Sequence, residues 1–280
     1  MFKNENITVK KASGEEELFS FHKLRNSLIK SKATTEEADR IVNVLQNKIY
    51  QGISTKKIYS MAFRMLKKHA PHIASRYNLK RGLMELGPSG FPFERYISEL
   101  FKIDGYKTEV GIILNGKCVS HEIDIICKKE TSFMLMECKY KNIAGVSIDV
   151  KIPLYINSRF QDLLDNNLLQ KPFTNFKGWI VTNSRFTDDA LAFGKCKNIE
   201  MLGWDHPFNN SLKDIIDKTG LYPLTCLTTL SDEEKKWLLE KEIILAKDIE
   251  NHQKLLVKAG INSARIKTIL DESTKLCYSN

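Results

Sequence analysis

Phe133-Met134-Leu135-Met136-Glu137-Cys138-Lys139 reads as a buried strand that ends in charge. Alternate residues of a strand share a face, so Glu137 and Lys139 point one way while Met134, Met136 and Cys138 point the other. A carboxylate at the end of an apolar strand is costly unless it is paired or bound to a cation, and an ammonium two residues on meets part of that cost. Just upstream, Glu122-Ile123-Asp124-Ile125-Ile126 sets Asp124 among apolar neighbours, 13 residues before Glu137. Across a single turn the two carboxylates can converge on a metal.

The residue types suit phosphodiester hydrolysis. Asp124 and Glu137 are expected to hold Mg²⁺ or Mn²⁺ through oxygen, with the backbone carbonyl of Cys138 as a further ligand, and Lys139 to position or help deprotonate the attacking water. Glu94, in Phe93-Glu94-Arg95-Tyr96, can complete the cluster from the other side. By residue type alone, a Glu-x-Lys pair also fits a plain ion pair at a strand end. His121 adjoins the Asp124 strand, although an isolated histidine is more often structural. Trp179 and Trp204 read as packing residues. Lys128-Lys129 and Lys139-Tyr140-Lys141 suit either phosphate contacts or solvated loops.

Around this pair of strands the chain alternates β-rich and helical stretches. A helix is expected over 91–103, strands over 107–114 and 119–127 turned at Asn115-Gly116, and a long helix over about 147–169. A strand at 178–182, a helix at 187–195 and a short strand at 199–202 follow. The expected fold class is α/β and multidomain, with a central mixed-sheet α/β core. Before it, strands at 7–9 and 18–21 flank a Ser13-Gly14 turn, and helices are expected at 22–32, 35–51, 55–69 and 71–86. Thr35 and Ser54 are the expected caps, and Pro71 opens the last helix. Gly87-Pro88-Ser89-Gly90 punctuates the chain. After the central core come leucine-rich helices, one capped at Ser231-Asp232 and running to 245, others either side of Gly260. The expected domains are 1–89, 90–222 and 223–280.

The formal charge of +9 is unevenly spread. Residues 1–90 hold 17 Lys and Arg against 8 Asp and Glu, while 91–222 balance at 17 each and 223–280 at 9 each. A basic face on the first third suits DNA or a polyphosphate, or is a solvated helical surface. With its own charge balanced, the central domain is expected to need the metal, a second subunit of a homo-oligomer or the basic domain to bind DNA tightly. The six cysteines are scattered, with no Cys-x-x-Cys pair, which argues against a zinc site or a disulfide framework. The polar start and the lack of a long apolar run point to a cytoplasmic protein without a membrane span.

Two resemblances sharpen these readings. Gly90-Phe91-Pro92-Phe93-Glu94, Glu122-Ile123-Asp124-Ile125, Glu137-Cys138-Lys139-Tyr140-Lys141 and Val181-Thr182-Asn183-Ser184-Arg185-Phe186-Thr187-Asp188-Asp189-Ala190 resemble, in order, the motifs of Mrr-like restriction endonucleases. That resemblance implies a PD-(D/E)xK nuclease core, with Asp124, Glu137 and Lys139 as the catalytic trio, Glu94 auxiliary, and the 182–190 segment serving strand-to-helix packing. Many close relatives carry Gln where this chain has Glu137, which restores the wider superfamily's pattern. A restriction or defence role is implied too.

Val9-Lys10-Lys11-Ala12-Ser13-Gly14, Glu17, Phe21-His22-Lys23-Leu24 and Gly52-Ile53-Ser54-Thr55 resemble the ATP-cone, a regulatory module that binds ATP or dATP. It implies a helical domain with a small β-hairpin and nucleotide contacts at Val9, Lys11, Glu17, Lys23 and Thr55. Ala12-Ser13 replaces the module's usual Arg-Asp. The Leu255-Leu256-Val257-Lys258-Ala259-Gly260-Ile261 rhythm is similar to helix-hairpin-helix modules, which hold DNA through turn amides, and equally fits packing or oligomer contacts. The expected function is a metal-dependent DNA endonuclease regulated by ATP or dATP. The alternative is a nucleotide-responsive DNA-binding regulator with an inert nuclease fold.

Overall fold

A computed structural model describes residues 7–11, 13–166 and 173–278. Two strands, β1 (Thr8–Lys10) and β2 (Glu16–Leu18), pair antiparallel with Val9 opposite Glu17. The second strand ends earlier than the expected 18–21, because Ser20 caps α1 (Phe21–Lys30) by accepting from the Lys23 amide. Next come α2 (Thr35–Gln46), α3 (Thr55–His69), α4 (Pro71–Tyr77) and α5 (Leu79–Met84). Thr34, not Thr35, caps α2, in a reciprocal pair with Glu37. The helix expected over 71–86 breaks at Asn78, whose side chain accepts from the Tyr59 hydroxyl at 2.8 Å. Ser54 caps α3 as expected. Leu28, Ile41, Leu45, Ile58, Leu66 and Ala74 form the core that these helices share with Val9 and Ile53. Ala12, part of the cone resemblance, lies outside the described residues.

There follow α6 (Phe91–Ile103) and a hairpin of β3 (Lys107–Asn115) and β4 (Ser120–Lys129). After β5 (Ser132–Cys138) come β6 (Ser147–Ile148) and α7 (Lys151–Leu164), where one helix over 147–169 was expected. The final part of that expected helix, 167–169, lies outside the described residues. Then follow β7 (Asn175–Val181), β8 (Arg185–Phe186), α8 (Asp188–Cys196), β9 (Ile199–Leu202) and α9 (Leu212–Thr219). The main sheet has the order β3-β4-β5-β7-β9. Its first three strands run antiparallel, and β5, β7 and β9 run parallel. This is the mixed sheet of an α/β fold. A separate parallel pair joins β6 to β8.

Phe133, Leu135 and Ile180 of the sheet pack with Ile156, Phe160 and Leu163 of α7. That packing is close: a Cβ on Gly178 would stand 2.5 Å from the Phe160 ring. Glycine in β7 therefore lets α7 lie down on the sheet. Farther along α7, Asp162 accepts from the Cys118 amide at 2.8 Å and from His121 Nε2 at 2.7 Å. Helix α7 is thus tied both to the sheet and to the turn of the β3–β4 hairpin.

The last segment holds α10 (Asp232–Glu240), α11 (Gln253–Lys258) and α12 (Ser263–Tyr278). The helix expected to reach 245 stops at Glu240. Glu242 turns the chain at φ +65°, and the amides of Leu224 and Ala246 then donate to Ile244 and Tyr222. At the Gly260 turn, the Gly260 and Ile261 amides donate to Val257 and Leu256, so both close α11. Contacts divide the chain into two compact units, 1–82 with 222–280, and 83–221. The tail, expected as its own module, folds with the N-terminal helices. Its Glu272 carboxylate accepts from Ser75 Oγ at 2.6 Å, and Leu276 accepts from Arg76 at 2.9 Å. The first division falls after Gly82 rather than at the Gly-Pro-Ser-Gly breaker. No helix among the described residues is long and apolar enough to cross a membrane.

Candidate active site

The site forms where β4 and β5 part. Their last paired residues are Ile125 and Met136. One step on, the register sets Asp124 across from Glu137. There the Cys138 amide, which would continue the ladder, donates to Asp124 Oδ2 instead, at 2.7 Å. Meanwhile β5 keeps its pairing with β7 as far as Cys138 and Val181. One more backbone bond follows, and then side chains take over the ladder. The Lys139 amide donates to the Val181 carbonyl at 2.7 Å, and Thr182 Oγ1 donates to the Lys139 carbonyl at 2.6 Å. Asn183 grips the backbone of Lys141 from both sides, accepting from its amide and donating to its carbonyl, each at 2.8 Å. Thr182 and Asn183, both buried, hold the chain that carries Lys139. Their expected part was strand-to-helix packing; they also hold this segment in place.

Glu137 is buried, and a cation meets each of its oxygens. Lys139 Nζ lies 2.5 Å from Oε1 and Arg159 Nη1 lies 2.7 Å from Oε2. The other Arg159 nitrogen donates to the Glu122 carbonyl. Glu94 arrives from the first turn of α6. Burial pushes its carboxyl up to about 7, with the charges of Asp124, Glu137 and Glu122 adding to the shift. Asp124 is pushed up to about 6, first by burial and then by Glu137, against the opposing Cys138 amide. The Cys138 thiol is buried beside the same carboxylates and held well above its ordinary range, so only its carbonyl suits a hard cation.

The structure therefore brings Asp124, Glu137, Lys139 and Glu94 together. Its oxygen-rich donor set and crowded negative charge fit Mg²⁺ or Mn²⁺. It is not a closed cage: among the described residues no group of three or more His, Cys, Asp or Glu could hold a metal as placed. The Glu137 oxygens are turned to Lys139 and Arg159 instead.

Arg159 escaped the sequence reading. Its signal was its place on the apolar side of α7, three residues after Ile156 and four before Leu163. His121 proves structural: with the Cys118 and Val119 amides it holds Asp162, whose carboxyl falls to about 2.

The nucleotide candidates lie in the other unit. Val9 is buried, Lys11 pairs with Glu17 at 3.0 Å, and a bridge between Lys10 and Ser54 sets β1 beside Thr55 at the start of α3. Lys23 is exposed in the first turn of α1.

Residues 222–277 match a family described as AF1548-like, C-terminal. An uncharacterised protein of Archaeoglobus fulgidus is 25% identical over 181 residues, 64% of this chain and 99% of that relative. The crystal structure of AF1548, a protein of unknown function, covers 69% of this chain and 100% of its own, at 24% identity and a TM-score of 0.55. Can2 from Sulfobacillus thermosulfidooxidans with cyclic tetra-adenylate, and the MspJI restriction endonuclease with an oligonucleotide, align at TM-scores of 0.33 and 0.28, with 15% and 13% identity. They cover 73% and 61% of this chain, and 64% and 38% of their own. Overlap at those scores does not establish a shared fold. Similarity to AF1548 is thus a likeness of fold.

Proposed function

We propose that this protein is a metal-dependent endonuclease acting on DNA, with Asp124, Glu137 and the Cys138 carbonyl holding Mg²⁺ or Mn²⁺. The observation that carries the reading is the convergence of Asp124, Glu137 and Glu94 at the β4–β5 fork, with two carboxyls raised toward neutrality. A bound divalent cation supplies charge neutralisation at a phosphate and a more acidic water. Lys139 orients that water's approach. Glu94, near 7, suits proton transfer at neutral pH. Asn183 and Thr182 keep the segment bearing Lys139 in place. The basic N-terminal residues add phosphate contacts, and the β1–β2 hairpin with Thr55 is the proposed site for regulatory ATP or dATP.

Purified protein incubated with plasmid, linear, methylated and branched DNA in Mg²⁺ or Mn²⁺, with and without ATP or dATP, tests this directly. Wild type is expected to cut, and Glu137→Ala to be slower by at least roughly a thousandfold. Equal cutting by both, or none by wild type, removes the reading. Calorimetry should show ATP or dATP binding that weakens in Lys23→Ala; no binding heat removes the regulatory part.

One observation favours the alternative, a DNA-binding regulator on an inert nuclease fold: Lys139 and Arg159 already satisfy both Glu137 oxygens. DNA binding without any cleavage would be its result.

A further inference from the structure

Arg159 has no part in the chemistry above, yet it is among the best-anchored groups at the site. Its guanidinium donates to Glu137 Oε2 at 2.7 Å and to the Glu122 carbonyl, and its central carbon lies 5.6 Å from the centroid of the Tyr155 ring. The helix beneath it is fixed on the sheet by Phe160 over Gly178 and at the hairpin by Asp162. Tyr155 itself is 61% exposed, so the pair borders solvent. A cation binding through Glu137 needs lone pairs on the oxygens that Lys139 and Arg159 now occupy. It must also enter beside two positive charges.

Resting on the metal-dependent reading, we propose that Arg159 is a resident counter-ion of Glu137. It is a positioning residue that competes with a divalent cation for Oε2. Once the cation takes that oxygen, Arg159, still over the Tyr155 ring, turns to a phosphate oxygen of the substrate. A guanidinium fork matches phosphate as well as it matches carboxylate. Cation and substrate then help each other: a phosphate that draws Arg159 away strengthens cation binding, and a cation on Glu137 releases Arg159 for the phosphate. Such coupling is reciprocal by linkage. The site resists loading until a substrate is present, which accounts for a donor set that suits a metal but is not arranged as a cage.

The test is calorimetric titration of the full chain with Mn²⁺, alone and with a saturating DNA oligonucleotide bearing uncleavable linkages, comparing wild type with Arg159→Met and Arg159→Lys. Arg159→Met is expected to bind Mn²⁺ about tenfold tighter in the absence of DNA, about 1.4 kcal/mol. It should show no further gain when DNA is added, and it should cleave more slowly. Arg159→Lys should restore the looser binding and part of the coupling. Thermal unfolding checks that each variant is folded; if Arg159→Met is not, Arg159→Gln, which keeps a donor for the Glu122 carbonyl, takes its place. A folded variant that binds Mn²⁺ no more tightly than wild type overturns the proposal while leaving the metal-dependent reading intact. If neither wild type nor variant binds Mn²⁺, the metal-dependent reading falls, and this proposal with it.

Discussion

Glu137 and Glu272 are both almost wholly buried, at 4% and 2% exposure, yet their surroundings differ in kind. Glu272, on α12, accepts from five neutral donors: Ser75 Oγ and the amide and hydroxyl of each of Thr228 and Thr229, at 2.5–2.9 Å. Glu137 accepts from two cations and shares its neighbourhood with carboxyls that its charge pushes up. A carboxylate ringed by neutral amides and hydroxyls is complete and joins distant segments. A carboxylate among like charges is held only by counter-ions, and the carboxyls around it gain from a cation that neutralises the group. Burial alone therefore does not mark a functional carboxylate; what surrounds it does.

The largest effect that would separate the two is Glu272→Ala. It strands several buried donors at the junction of the N-terminal helices with the tail, and a loss of about 3–5 kcal/mol is expected from denaturant unfolding. Mn²⁺ affinity should stay unchanged. A near-neutral Glu272→Ala would break the comparison, since the staple would then be dispensable. Next comes Asn183→Ala, which removes two backbone bonds to Lys141 and should cost about 1–3 kcal/mol. Here cleavage should fall more than the stability loss explains, because Lys139 loses its support. If rate and stability fall in step, Asn183 serves the fold alone.

These partners also show where the sequence is readable. Asp124, Glu137 and Lys139 are legible because strand alternation and one turn set their geometry locally, and the mixed sheet follows from the same periodicity. Arg159 lies 22 residues past Glu137 on a different element, and the bond from Ser75 to Glu272 spans 197 residues. No local period encodes either. Short elements were lost for another reason: β6 and β8 have two residues each, too few to show any alternation. The Thr34 cap was legible in Thr34-Thr35-Glu36-Glu37, where two adjacent threonines compete and only Thr34 lies three residues before the glutamate it pairs with. The tail's docking on the N-terminal helices depends on bonds between segments too far apart for composition to reveal.

Asp124→Asn reverses the usual sign. The amide can still accept from Cys138, while the charge disfavoured by burial and by Glu137 is gone. In the absence of metal near pH 8, a gain of about 1 kcal/mol is expected, with cleavage lost. A destabilised Asp124→Asn would show that Asp124, like Glu272, is held by the fold rather than strained in it.

The smallest effect is the pH dependence of the wild type, and its sign follows from the same two groups. Asp124 and Glu94 rise from ordinary values of 3.8 and 4.5 to about 6 and about 7, so between those limits the folded protein binds more protons than the unfolded chain. Stability from these groups is therefore greatest below about pH 4 and is lost as pH rises through 6 and 7. Added Mg²⁺ or Mn²⁺ opposes that loss by replacing the protons. The rise in Tm on adding cation should thus be near zero around pH 5 and grow to a plateau by about pH 8. Calorimetric scans at several pH values, with chelator or with cation, measure it. In Asp124→Asn the growth should shrink, leaving only the part due to Glu94. A cation effect that is flat with pH would mean the raised carboxyls do not meet the metal, and Glu137 would then resemble Glu272 after all.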